Sequence, residues 1–167
     1  EWGTNLILWE DNGLKTQSWH TKRLTNDIFS LQCNFSSLAM DNPEASQNSG
    51  TQIRQWEPNG AAAQGWIFVR VGDGTYRIKN QASGLYLDTE NQSTDSHTNL
   101  VQNSYSDNLT QKWRVERIYE VARFTSHNIS DCKVYHDSDN RVLIANATAG
   151  LNLASSQWKI VPGLASS

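Results

Sequence analysis

The feature that most constrains this chain is a phrase it repeats at a fixed interval. TQIRQW occupies 51–56 and QGW follows at 64–66. Forty-seven residues earlier stand TNLILW at 4–9 and QSW at 17–19, and forty-seven later TNLVQN at 98–103 and QKW at 111–113. Trp19, Trp66 and Trp113 share one phase with Gln17, Gln64 and Gln111, and Trp158 follows after 45 residues. The pairs Asn12/Asn59, Gly13/Gly60, Phe29/Tyr76, Leu31/Ile78, Leu38/Leu85, Met40/Leu87 and Asp41/Asp88 keep the same offset without gaps. A period of this length marks a supersecondary unit that buries its apolar face only by packing against its neighbours.

Within a unit the pattern is that of strands. TYRIKN at 75–80 and GLYLDT at 84–89 alternate apolar and polar residues between Gly, Asn, Asp and Ser clusters, as antiparallel hairpins do. No helical period of useful length interrupts them, so a unit amounts to about four strands. Two all-β architectures stack such units: a propeller of four or more blades, and a trefoil in which six strands close a barrel and three hairpins cap it. In either, the Trp of each Gln-x-Trp faces inward. Burying an indole removes a large apolar area from water, its N–H requires a partner, and the neighbouring Gln amide can bond backbone groups of its own unit. Leu38, Met40, Ile53, Leu85, Leu87 and Leu100 have the alternation of a core face.

The 167 residues suffice for one domain with a proper core, supplied here by seven Trp, five Tyr and four Phe. A net charge of −3 opposes binding to a nucleic-acid backbone. No run of 18 apolar residues exists, so no membrane insertion by this chain alone is expected. The chain begins at Glu1 rather than Met, which fits a processed product or a piece of a longer parent. Asn-x-Ser/Thr triplets at Asn34, Asn91, Asn108, Asn128 and Asn146 point to a secreted protein. Cys33 and Cys132 form no disulfide framework; they are either one bridge between distant repeats or two buried thiols.

The phased Gln-x-Trp endings, the Thr-x-apolar strands before them and the Asp after the second strand resemble the ricin B-type (R-type) lectin domain. The matching stretches are GTNLILW…QSW, GTQIRQW…QGW with Asp41, and HTNLVQN…QKW with Asp88. The resemblance implies an all-β fold, a β-trefoil with pseudo-threefold repeats of about 47 residues, here as a single domain over 1–167. Its repeats would be 24–70, 71–117 and 118–162, preceded by a half repeat at 1–22. Three open alternatives account for that half repeat: an extra hairpin, the tail of a preceding trefoil, or a substitute for a degenerate last unit. The last unit has Ser156 in place of Gln and only Asp137 near the Asp position, and is expected to fold without binding a ligand.

In the resembled family the Asp after the second strand and an aromatic at the end of the third form a sugar pocket. The ring stacks on a pyranose face, and the carboxylate accepts from two hydroxyls. Carried over, this names Asp41 with Trp56 in one unit, and Asp88 in the next, where Asn103 takes the aromatic position and Tyr105 stands two residues on. The family's Asn before Gln-x-Trp is here Thr16, Ala63 or Thr110; Asn59 or Arg54 would compensate. Trp9 and Trp56 each lead to an Asn-Gly turn, which places them near the surface. Asp41 and Asp88 also suit plain turn capping. The implied function is that of a non-catalytic lectin for galactose- or GalNAc-type glycans. Its shallow sites would gain strength from multivalency, through a homo-oligomer or an attached second domain. The rivals are a glycan-targeting module of a larger toxin or glycoside hydrolase, and an inhibitor or protein-interaction trefoil without sugar binding.

The sequence shows no hydrolase, P-loop or zinc motif. Its four His, at 20, 97, 127 and 136, keep no phase, and DSDN at 137–140 lacks the Gly and Glu of a calcium loop. No cofactor and no metal are expected.

Overall fold

The computed structural model describes residues 1–72, 74–117, 132–136, 142–146 and 157–162, and side chains within 1–72 and 74–115. Short strands dominate: Trp19–Arg23 (β1), Ile28–Cys33 (β2), Ala39–Asp41 (β3), Thr51–Gln52 (β4), Arg54–Trp56 (β5), Trp66–Gly72 (β6), Thr75–Asn80 (β7), Tyr86–Thr89 (β8), Leu100–Asn103 (β9), Trp113–Arg117 (β10), Cys132–His136 (β11), Val142–Asn146 (β12) and Gln157–Pro162 (β13). Helix among the described residues is limited to single 3-10 turns, three of which immediately precede a Gln-x-Trp tryptophan strand. The chain forms two compact units, Glu1–Ile118 with Ala154–Ser167, and Tyr119–Leu153. In the smaller unit β11 and β12 pair as an antiparallel hairpin, Cys132 opposite Asn146 and His136 opposite Val142. The side chains of Cys132, His136, Asn146 and Trp158, and residues 137–140 with Asp137, His127 and Asn128, lie outside the described residues.

In the larger unit six antiparallel pairings, β1 with β2, β2 with β6, β6 with β7, β7 with β10, β10 with β13 and β13 with β1, run in a ring. Closure removes the free strand edges that an open sheet exposes. Alternate residues of the ring point inward. Leu31, Trp66 and Ile78 are fully buried, and Trp19 and Trp113 nearly so. The expected partners of the indole N–H groups are present: Trp66 donates from Nε1 to the carbonyl of Met40 and Trp113 to that of Leu87, each at 3.0 Å. Met40, Ile53, Leu87 and Leu100 join the same core. Leu38 and Leu85, expected there as well, are only half-buried. Their carbonyls close the tight turns after β2 and β7, accepting from Cys33 and Asn80, and this holds both residues at the rim.

The 47-residue period becomes physical at the centre of the hairpin layer. The amide of Leu6 donates to the carbonyl of Ile53, Ile53 to Leu100, and Leu100 to Leu6, each at 2.9 Å. Three residues in one sequence phase thus close a cyclic set of hydrogen bonds around a pseudo-threefold axis. The first of them comes from the N-terminal half repeat, whose Leu6 and Leu8 pack against the core. The half repeat therefore supplies the third arm of this axis.

The same substitution decides where the last strand goes. Trp19 stands opposite Cys33, Trp66 opposite Asn80 and Trp113 opposite Pro162. This register gives Ile160 the place of Leu31 and Ile78, and gives Trp158 the place of Phe29 and Tyr76. Trp158 had been expected to repeat the phase of Trp19, Trp66 and Trp113. Instead β13 fills a first-strand slot between β10 and β1, because β1, arriving from the half repeat, already occupies the third Gln-x-Trp position. Cys33 is a free, buried thiol whose Sγ lies 3.7 Å from the carbonyl oxygen of Thr16.

Candidate functional site

The side chains that carry the chemistry are set by the glutamine of each Gln-x-Trp. In all three copies its Oε1 accepts from the backbone amide five residues earlier: Asn12 to Gln17, Asn59 to Gln64 and Ser106 to Gln111, each at 2.9 Å. Its Nε2 donates to the carbonyl seven residues earlier: Glu10, Glu57 and Ser104. One side chain thereby fixes the loop that leads from the third strand back into the barrel. In two copies Nε2 donates to a carboxylate as well, Gln64 to Asp41 at 3.2 Å and Gln111 to Asp88 at 3.0 Å.

In the first repeat, β3 and β5 set Ala39 opposite Trp56 and Asp41 opposite Arg54. Successive odd or even positions share a strand face, so these four side chains lie together. Arg54 donates from Nε to Asp41 Oδ2 at 2.8 Å, and its guanidinium carbon sits 4.1 Å from the Trp56 ring centroid. Ala39 leaves room for the indole. Trp2 packs against Trp56 with ring centroids 5.9 Å apart, and Gly3, held at φ +80, brings the backbone to the edge of the ring. Asp41 was expected to offer its carboxylate to hydroxyls, but it is 4% exposed. Gln64 and Arg54 engage one oxygen each and burial leaves little of either open. Trp56, expected to be outward, is half-buried, with one face under Arg54. Asn59 is exposed and caps its own turn, accepting from the Ala61 amide at 2.9 Å.

The second repeat exchanges the aromatic across the strand pair. Tyr86 takes the place of Ala39, and Asn103 opposite it takes the place of Trp56. Asp88 is 2% exposed: Oδ1 accepts from the Thr89 amide, and Oδ2 from Asn103 Nδ2 and Gln111 Nε2. Asn103 also accepts from the amide of Gly50, which ties the two repeats together. Tyr105 is 61% exposed and meets Tyr86 edge to face at 5.7 Å. Beside it lies a charged group that was not anticipated. The nearly buried Arg77 has its guanidinium carbon 4.9 Å from the Tyr105 centroid and bonds Asp107, which Lys112 also pairs at 3.1 Å. The hydrogen bond and charge of Lys112, aided by Arg77, hold the Asp107 carboxyl below its ordinary range.

In the N-terminal arm Trp9 is half exposed, as its turn predicts, and packs against His97 at 4.1 Å. A cavity of about 350 Å³ beside it is lined by Asn12, Gln17, Trp19, Met40, Leu87 and Trp113 among others. The structure thus brings Asp41, Arg54 and Trp56 together, and Asp88 with Asn103 and, through Tyr86, Tyr105; Asn59 stands apart as a turn residue. Trp2, Tyr86, Arg77 and Asp107 escaped the sequence reading. The pairing of Arg54 with Trp56 was readable, because residues two apart on a strand share a face. The approach of Trp2 had no sequence signal, since it depends on the contact of Gly3 with Gln55.

The chain is similar to known proteins. The profile of the family described as ricin-type β-trefoil lectin domain-like matches residues 62–163. No curated protein sequence matches the chain. Among solved structures, the designed threefold-symmetric protein ThreeFoil is 34% identical with a TM-score of 0.66, over 68% of this chain and 81% of that one. An exo-β-1,3-galactanase from Clostridium thermocellum is 27% identical with a TM-score of 0.64, over 66% of this chain but 24% of the enzyme. A mosquitocidal holotoxin shares the fold at 13% identity and a TM-score of 0.63, over 97% of this chain and 32% of the toxin. The chain thus spans a third or less of these two larger proteins. With the profile matching more than half of its length and the barrel, axial ring and Gln-x-Trp bonds all in place, the chain belongs to the ricin-type β-trefoil lectin domain-like family.

Proposed function

We propose that this domain binds glycans of the galactose or GalNAc type without transforming them, through the surface around Trp56 and Arg54 and through that around Tyr86, Tyr105 and Asn103. The observation that carries the reading is the recurrence, 47 residues apart, of a buried carboxylate bonded to a Gln-x-Trp glutamine beside an aromatic that reaches the surface. Aromatic faces suit the C–H face of a pyranose, and amides and guanidinium groups supply directed donors for its hydroxyls. With both carboxylates largely enclosed, Asp41 and Asp88 support this surface through Arg54, Asn103 and the glutamines. The reading also places the domain outside the cell, where glycans are displayed.

A glycan array tests it. Folded protein is expected to retain galactose- and GalNAc-terminated glycans and to be displaced by free galactose. Folded protein that retains no glycan overturns the reading. A second reading, a targeting module within a larger protein, is favoured by the small share of the galactanase and the toxin that this chain covers. Both readings predict the same array result, and they part on the length of the natural polypeptide.

A further inference from the structure

We propose that Arg54 makes the pocket of the first repeat selective for glycans carrying an acidic group, a carboxylate or a sulfate ester, on or next to the galactose-type sugar. This rests on the glycan-binding reading above and narrows its ligand class.

Arg54 is out of pattern. At the same phase the chain has Ile7 in the N-terminal arm and Val101 in the second repeat. An apolar residue therefore satisfies the fold at this position twice. The plain explanation for a cation here is neutralisation of the buried Asp41. The second repeat argues against that as a requirement, because Asp88 is buried as deeply and is held by Asn103, Gln111 and the Thr89 amide, with no cation bonded to it among the described residues.

The geometry shows what the cation is free to do. A guanidinium has five N–H donors in one plane. Arg54 commits the one on Nε to Asp41, and no hydrogen bond from its terminal nitrogens is made among the described residues. The guanidinium is held at two points, by the carboxylate at Nε and by the Trp56 ring 4.1 Å from the guanidinium carbon. The Arg54 side chain remains 22% exposed. A guanidinium held over a ring still directs its N–H bonds in its own plane, and the fork of two parallel donors matches two oxygens of a carboxylate or sulfate. A fork already oriented loses little freedom on binding. Asp41 offsets the net charge, so discrimination arises from the paired hydrogen bonds at short range rather than from long-range attraction.

The test uses the full chain with lactose, sialyllactose and lactose 3′-sulfate as soluble ligands, titrated by calorimetry or followed by tryptophan fluorescence. At least one acidic form is expected to bind about tenfold more tightly than lactose, the scale of one added charge-assisted pair. The sialylated and sulfated arms separate the two sources of the acid. In Arg54→Val, which installs the residue of the second repeat, the ratio of acidic to neutral affinity is expected to fall to about one. Arg54→Lys, which keeps the charge but loses the fork, is expected to fall between and serves as the variant if Arg54→Val does not fold. Equal affinity of the unsubstituted protein for neutral and acidic ligands overturns this inference and leaves glycan binding standing. A preference for acid that survives substitution of Arg54 also overturns it. Failure of the folded protein to bind any of the three, and any glycan on the array, removes both readings.

Discussion

The three Gln-x-Trp glutamines make the same two backbone bonds, yet their surroundings differ in a way that should be measurable. Gln64 and Gln111 are fully buried and also hold a carboxylate; Gln17 is half-buried and bonds none among the described residues. Truncating a buried side chain that satisfies a backbone amide, a backbone carbonyl and a carboxylate leaves several groups without partners, each costing about 1–3 kcal/mol when water cannot replace the bond. Gln64→Ala and Gln111→Ala are therefore expected to lower stability by about 2–4 kcal/mol in urea denaturation, and Gln17→Ala by about 1 kcal/mol or less, since water reaches it. Equal losses at all three would show that the buried carboxylates add nothing to the glutamine's role. At this scale the sequence was informative where one residue type recurs in one phase, as with the glutamines and the inward indoles. It was uninformative about Asp41 and Asp88, because whether a carboxylate points to solvent or beneath an arginine depends on register between strands 13 residues apart.

At the scale of elements, the hairpins of the two complete repeats carry the same backbone and different surfaces. Ala39 opposite Trp56 and Tyr86 opposite Asn103 are one arrangement with the aromatic moved across the strand pair. Aligned by period, Trp56 falls on Asn103, and the next aromatic along the chain is Tyr105, past the end of β9; Tyr86 escapes such an alignment because a repeat aligned along the chain does not register exchange across a ladder. The loop between β9 and β10 is tied to the barrel by Arg77 of β7 through Asp107, which Lys112 at the end of the same loop also pairs. The Lys112 hydrogen bond and charge, with Arg77, lower the carboxyl of this residue from its ordinary value of 3.8. A carboxyl lowered on folding favours the folded state fully above its ordinary value and loses that contribution as pH falls through its folded value. Carboxyl NMR titration is expected to place Asp107 below 3.8, and Lys112→Ala to move it back up. A titration of Asp107 at or above 3.8 in the unsubstituted protein would mean that the ion pairs do not form in solution. As the group is exposed, the consequence is local loosening of this loop in acid rather than global unfolding.

For the whole molecule the decisive contact is the ring formed by Leu6, Ile53 and Leu100. The period of 47 residues left a propeller and a trefoil open, the resemblance to ricin B-type domains implied the pseudo-threefold trefoil, and both the barrel and the family bear that out. What periodicity could not decide was which of the chain's three and a half copies closes it, since a half repeat at one end and a degenerate repeat at the other compete for one position. The register resolves this physically. The N-terminal arm brings a well-formed Gln-x-Trp strand and an apolar Leu6 to the axis, and the barrel then accepts β13 in the one slot that remains between β10 and β1. It follows that residues 1–22 are structural. A chain starting at residue 24 loses the whole of β1, and with it two of the six pairings of the barrel and one of the three axial donors. It is expected to lose cooperative thermal unfolding and near-ultraviolet circular dichroism and to bind hydrophobic dye, as a sheet with opened edges and a breached core does. Adding a peptide of residues 1–23 should restore the ordered state, because the arm's contacts are reformed without a covalent link. If the shortened chain instead melts cooperatively with an unchanged near-ultraviolet spectrum, the repeat at 118–162 closes the barrel unaided, and the N-terminal arm is an appendage rather than the third part of the axis.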